Sequence, residues 1–99
     1  MVLLKGSLEK YCDYLSRHSE NAVAFCFEND QAFVPIKCVT YGNAHDPLSQ
    51  AKQLFEALRK LDETGASIAY AHCPDTNGIG LAVYNRLLRS AAFDVIDLE

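Results

Sequence analysis

The sequence predicts an α/β fold, a three-layer α/β/α sandwich built on a mostly parallel sheet of about five strands. Three observations carry that prediction. Short continuous apolar runs, Ala22 to Phe27 and Ile68 to Cys73, suit strands buried on both faces. Between such runs lie stretches whose apolar residues recur at helical spacing. The longest of these starts at Pro47 and reaches Gly65, enough chain for a crossover between parallel strands.

Val2 to Lys5 is an apolar run closed by Gly6, and Ser7 then offers a side-chain oxygen to cap a helix. Leu8, Tyr11, Cys12 and Leu15 form the apolar stripe of that helix, which polar His18 to Asn21 ends. After the Ala22 to Phe27 strand, Glu28-Asn29-Asp30 marks a turn. Ile36 to Tyr41 alternates as a strand, with Pro35 blurring its start. Asp46-Pro47 is a helix start, because Asp46 can accept from free amides and proline loses nothing at the first helical position. At 100° steps, Leu48, Ala51, Leu54, Phe55, Leu58 and Leu61 share one arc, predicted to face the sheet. Gly65 ends the helix in the left-handed conformation. Ile68 to Cys73 follows as a strand, then a third helix near Leu81 to Ala92 and a last strand, Phe93 to Ile96. The order β-α-β-β-α-β-α-β, with right-handed crossovers, is Rossmann-like.

A chain of 99 residues is sized for one domain, and its 49% hydrophobic and 22% charged content is ordinarily globular. The net charge of −4, with nine scattered Lys and Arg, excludes the basic stripe of an autonomous nucleic-acid binder. No apolar run approaches the roughly 20 residues that cross a bilayer. Cys12, Cys26, Cys38 and Cys73 show no CxxC pair and no zinc spacing, so buried free thiols in a reducing cytoplasm are expected, with no metal site. The Met placed directly on the first strand and the terminal Leu98-Glu99 fit a domain excised from a longer protein.

Chemistry, if present, belongs beyond the carboxyl ends of the strands, where helix N-termini attract anions. The loop with Pro74, Asp75, Asn77, Gly78 and Gly80 occupies such a place, as a ligand or interdomain loop. It lacks the full GxGxxG fingerprint and the P-loop lysine, and Asp75 would repel phosphate, so a tight strand-to-helix turn competes with a nucleotide cradle. On the third helix Tyr84, Leu87, Leu88 and Ala91 centre the apolar arc. Asn85 falls at its margin, able to bond a neighbouring loop, and Arg86 and Arg89 project away from the core as interdomain-contact candidates or solvated residues. His18, His45 and His72 form no ligand pattern. A Cys73/His72 nucleophilic pair would make a small hydrolase, but neighbours on a strand point to opposite faces.

Leu54-Phe55-Glu56-Ala57-Leu58-Arg59-Lys60-Leu61-Asp62, then Gly65, Pro74 and Gly78-Ile79-Gly80-Leu81-Ala82-Val83-Tyr84-Asn85-Arg86-Leu87-Leu88-Arg89-Ser90-Ala91-Ala92, follow a known pattern in order and spacing. The chain resembles the C-terminal, Sua-five-type domain of two-domain L-threonylcarbamoyladenylate synthases. Ile79 stands where that family usually has leucine, and Ser90 where lysine is frequent. The resemblance implies a parent enzyme that joins ATP, with magnesium, to L-threonine and bicarbonate for tRNA threonylcarbamoyladenosine formation. Its catalytic residues would lie in a YrdC-like domain in cis whose motifs, like the linker before this domain, are absent from residues 1–99. The implied role is an accessory domain with no catalytic residue and no cofactor of its own. A stand-alone nucleotide-binding module and a homodimerisation domain are the alternatives.

Overall fold

The computed structural model describes residues 1–99. Strand β1 (Val2–Lys5) leads to helix α1 (Leu8–Arg17), then β2 (Ala22–Cys26), a 3-10 turn (Glu28–Phe33), β3 (Cys38–Thr40) and α2 (Pro47–Asp62). Strand β4 (Ile68–His72), helix α3 (Ile79–Ser90) and β5 (Val95–Asp97) complete the chain. The sheet order is β3-β2-β4-β1-β5 and every pairing is parallel. The expected three-layer, Rossmann-like sandwich is what forms.

Alternation along the strands sends successive residues to opposite faces, and two cores result. Leu3, Phe25, Phe27, Tyr41 and Ala71 meet Leu54 and Ala57 of α2 and Val83 and Leu87 of α3. Val2, Leu4, Ala24, Cys26 and Tyr70 meet Tyr11 and Leu15 of α1. Both predicted caps form: Ser7 accepts from the Lys10 amide, and Asp46 from the Ser49 amide. All four cysteines are free thiols, but only Cys26 is fully buried.

The buried side of α2 differs from the predicted arc. Gln50, Leu54 and Ala57 are buried, whereas Leu48, Ala51 and Phe55 are exposed. The helix packs on the sheet with one side and lies along α3 with its flank, so its apolar arc is wider than its sheet contact and the centre of burial falls to one edge. On α3 the buried centre is Gly80, Val83 and Leu87, with Tyr84 and Leu88 half-buried beside it. Helix α3 starts before Leu81 because Gly78, at φ 55, already turns the chain into it. The last strand starts later than Phe93: Ala92 and Phe93 sit at φ 52 and 63, a left-handed turn that no strand accommodates. β3 is trimmed to Cys38–Thr40, since the 3-10 turn and Pro35 occupy the approach to it.

Candidate functional site

Strands β1 and β4 are neighbours, yet the loop after β1 feeds α1 on one face and the loop after β4 feeds α3 on the other. This is the topological switch point, the crevice position of open α/β sheets, although none of the grooves of this molecule is lined by those two loops. The widest groove of the molecule, about 490 Å³ and lined in part by Met1, Val23, Leu61, Ile68 and Ser90, lies at the opposite end of the sheet. It is the gap left between the last turns of α2 and α3 and the strand starts, a place without helix N-termini.

On the α3 side of the crevice the loop is largely satisfied by itself. The Asp75 carboxylate accepts from the Asn77 amide at 3.1 Å and from its side-chain nitrogen at 2.9 Å. The Gly80 amide donates to the Asn77 carbonyl at 3.0 Å and the Leu81 amide to the Gly78 carbonyl at 3.1 Å. A Cβ on Gly80 would lie 2.2 Å from the Asp75 carbonyl oxygen, so Gly80 is there to let the loop fold onto the helix. Pro74 is buried, and Asp75, Asn77 and Gly78 are exposed.

On the α1 side the C-terminal Glu99 folds back onto the start of the helix, a contact not expected from sequence. The Ser7 amide donates to Glu99 Oε1 at 2.9 Å, and Lys10 Nζ donates to Oε2 at 2.8 Å. That hydrogen bond raises the Lys10 pKa and lowers that of Glu99. The pairing joins residues 89 apart, which no local pattern announces.

His72 and Cys73 take opposite faces, as strand geometry requires. The His72 ring stacks on Tyr11 at 4.5 Å and its Nε2 lies 2.7 Å from the Gly6 carbonyl, while Cys73 packs in the α2/α3 core. Burial pushes the Cys73 thiol up to about 11, so it stays protonated and is a poor nucleophile. No Cys/His dyad forms. His18 stacks on Tyr14 at the far end of α1, and His45 is exposed before α2.

The interdomain candidates on α3 do face outward. Asn85, Arg86 and Arg89 are all exposed. Asn85 forms no hydrogen bond to a neighbouring loop, because α3 turns it outward. Arg86 folds across to α2, its guanidinium carbon 4.3 Å from the centre of the Phe55 ring. Sequence periodicity placed Phe55 in the core and so missed this contact.

Residues 2–92, nearly the whole chain, match the family described as threonylcarbamoyl-AMP synthase, C-terminal domain. The chain belongs to that family. A curated relative, the threonylcarbamoyl-AMP synthase of Pyrococcus abyssi, is 41% identical over 46 residues, which are 46% of this chain and 14% of the relative. A crystal structure of P. abyssi Sua5 complexed with L-threonine superposes on 99% of this chain with a TM-score of 0.73 and 22% identity. A doubly substituted variant of the same protein gives 0.71 and 23% over 97% of the chain. These two likenesses establish the shared fold. The domain spans 30% and 28% of those two structures, which are therefore much longer polypeptides. No helix of this C-terminal domain is long and apolar enough to cross a membrane.

Proposed function

We propose that this chain is the accessory domain of a threonylcarbamoyl-AMP synthase acting in tRNA threonylcarbamoyladenosine modification. The parent enzyme uses ATP with magnesium, L-threonine and bicarbonate in a YrdC-like catalytic domain in cis. This domain docks there and helps position or close that active site, without catalysis, cofactor or direct RNA contact of its own, in the cytoplasm.

The observation that carries this reading is the family match over residues 2–92. The chemistry of the switch point supports it. Two first-turn amides of α3 are engaged within the loop, Asp75 Oδ1 accepts from Asn77, and the thiol at the end of β4 is held protonated. A thiol held protonated is not an activated nucleophile.

The test is pyrophosphate release from ATP, L-threonine and bicarbonate, by the full-length synthase, by that synthase lacking this domain, and by the isolated domain. The isolated domain should release none, and removing it should change the rate of the full-length protein. Turnover by the isolated domain, or an unchanged rate on its removal, overturns the reading.

A further inference from the structure

The outward side of α2 and α3 carries four exposed large apolar residues among its polar and charged ones. Leu48, Phe55, Ile79 and Leu81 are 49%, 58%, 51% and 46% exposed. Between the helices runs a cleft of about 210 Å³ lined by Ala51, Leu54, Phe55, Ala82, Val83 and Arg86. Charge on this side is one-signed along α3, which carries Arg86 and Arg89 and no Asp or Glu, in a chain whose net charge is −4. The three ion pairs of the molecule use Lys10, Arg17 and Arg59, so both α3 arginines lack a carboxylate partner. Arg86 instead has its guanidinium laid on the Phe55 ring.

An exposed aromatic beside a pre-placed arginine, at a cleft in an apolar bed, is the composition of an interface centre. We propose that the α2/α3 face is the docking surface of this domain, and that its partner is a patch of the catalytic domain of the same polypeptide that is apolar and bears carboxylates opposite Arg86 and Arg89. This rests on the accessory role proposed above and adds the surface and the chemistry it recognises. Two arginines are too few to hold a polyanion such as RNA, whose affinity comes from many neutralised phosphates. A second copy meeting the same face across a two-fold axis would bring like charges together. An acidic patch answers the arginines, and the ring and the cleft exclude water around the resulting pairs.

Hydroxyl-radical footprinting read by mass spectrometry tests this in the full-length synthase and in the isolated 99-residue chain. Oxidation of Phe55 and Leu81 is expected to fall several-fold in the full-length protein. The double variant Arg86→Glu, Arg89→Glu should return it to the level of the isolated chain, while Arg86→Lys, Arg89→Lys keeps most of the protection. Equal oxidation of Phe55 in both forms overturns the proposal, as does protection in the isolated chain that grows with its concentration, which would assign the face to a second copy. Pyrophosphate release by the synthase with and without the domain separates the two ideas. A rate that depends on the domain with Phe55 fully oxidisable leaves the accessory role standing and this surface wrong. Protected Phe55 with an unchanged rate does the reverse.

Discussion

The Tyr41 hydroxyl donates to the His72 carbonyl at 2.5 Å, reaching from the end of β3 across β2 to the end of β4. Tyr41 is fully buried, stacked on Phe25 at 4.6 Å, so this bond closes the carboxyl end of the sheet where the site loops begin. Tyr41→Phe keeps the ring and removes the donor, leaving a buried carbonyl one partner short. The expected cost is about 1–3 kcal/mol. In a domain of this size a loss of 1 kcal/mol lowers the melting temperature by roughly 4–8 °C, so thermal denaturation by circular dichroism reads it directly.

Gly80→Ala is expected to destabilise strongly and Gly65→Asn hardly at all. A Cβ at Gly80 would sit 2.2 Å from the Asp75 carbonyl oxygen, a backbone atom that moves only if the whole 74–80 loop shifts. Gly65, at φ +73 after α2, has nothing within 4 Å, and asparagine tolerates the left-handed conformation. Urea denaturation should show a loss of roughly 1–3 kcal/mol for the first variant and of a few tenths for the second. Equal effects would mean that the loop is not packed on α3.

Layer order and element order were legible because both rest on local signals: the apolar runs at Ala22 and Ile68, the caps at Ser7 and Asp46, and the helix-ending Gly65. What stayed hidden depends on tertiary neighbours. Phe55 belongs to the apolar arc of α2 by periodicity, but which part of a wide arc meets the sheet is decided by where α3 lies. Gln50 looks like a surface residue by type and is 1% exposed, drawn inward because the Gly42 turn passes against its backbone. Glu99 joins Ser7 and Lys10 through the strand order, which sequence left open. The loop between β4 and α3 could be placed from sequence because a strand-glycine-helix junction is a local pattern. That its amides are engaged is a matter of geometry alone.

Gln50 donates from Nε2 to the Asn43 carbonyl at 2.8 Å, while its Oε1 is buried without a partner. Gln50→Glu would remove that donor and set an acid against a carbonyl in a dry site. Burial favours the neutral acid, so the folded pKa of the new carboxyl should lie above its unfolded value. Stability is then retained below the ordinary glutamate value near 4.3 and lost as pH rises through the folded pKa. A cost of about 3 kcal/mol at pH 7 is expected, much reduced at pH 4. Gln50→Met, which also loses the hydrogen bond but adds no charge, should show no such pH dependence. Denaturant midpoints of both variants at the two pH values decide it.

Cys73 distinguishes a structural thiol from a catalytic one. Burial raises it from 9.0 to about 11, with Lys5 partly opposing. In the unfolded chain the same thiol ionises near its ordinary value, so between about pH 9 and 11 the unfolded state holds fewer protons than the folded one, and stability falls as pH rises across that window. Burial likewise raises Tyr41 and Tyr11 well above 10, which extends the loss to more alkaline pH. Below pH 9 the thiolate is scarce in the native domain. Iodoacetamide at pH 8 should therefore label Cys73 more slowly in the native chain than in urea, with a native rate that climbs until about pH 11. If instead Cys73 is the fastest-labelled of the four thiols at neutral pH, its sulfur is activated, and a nucleophilic role at the β4 end has to be reopened.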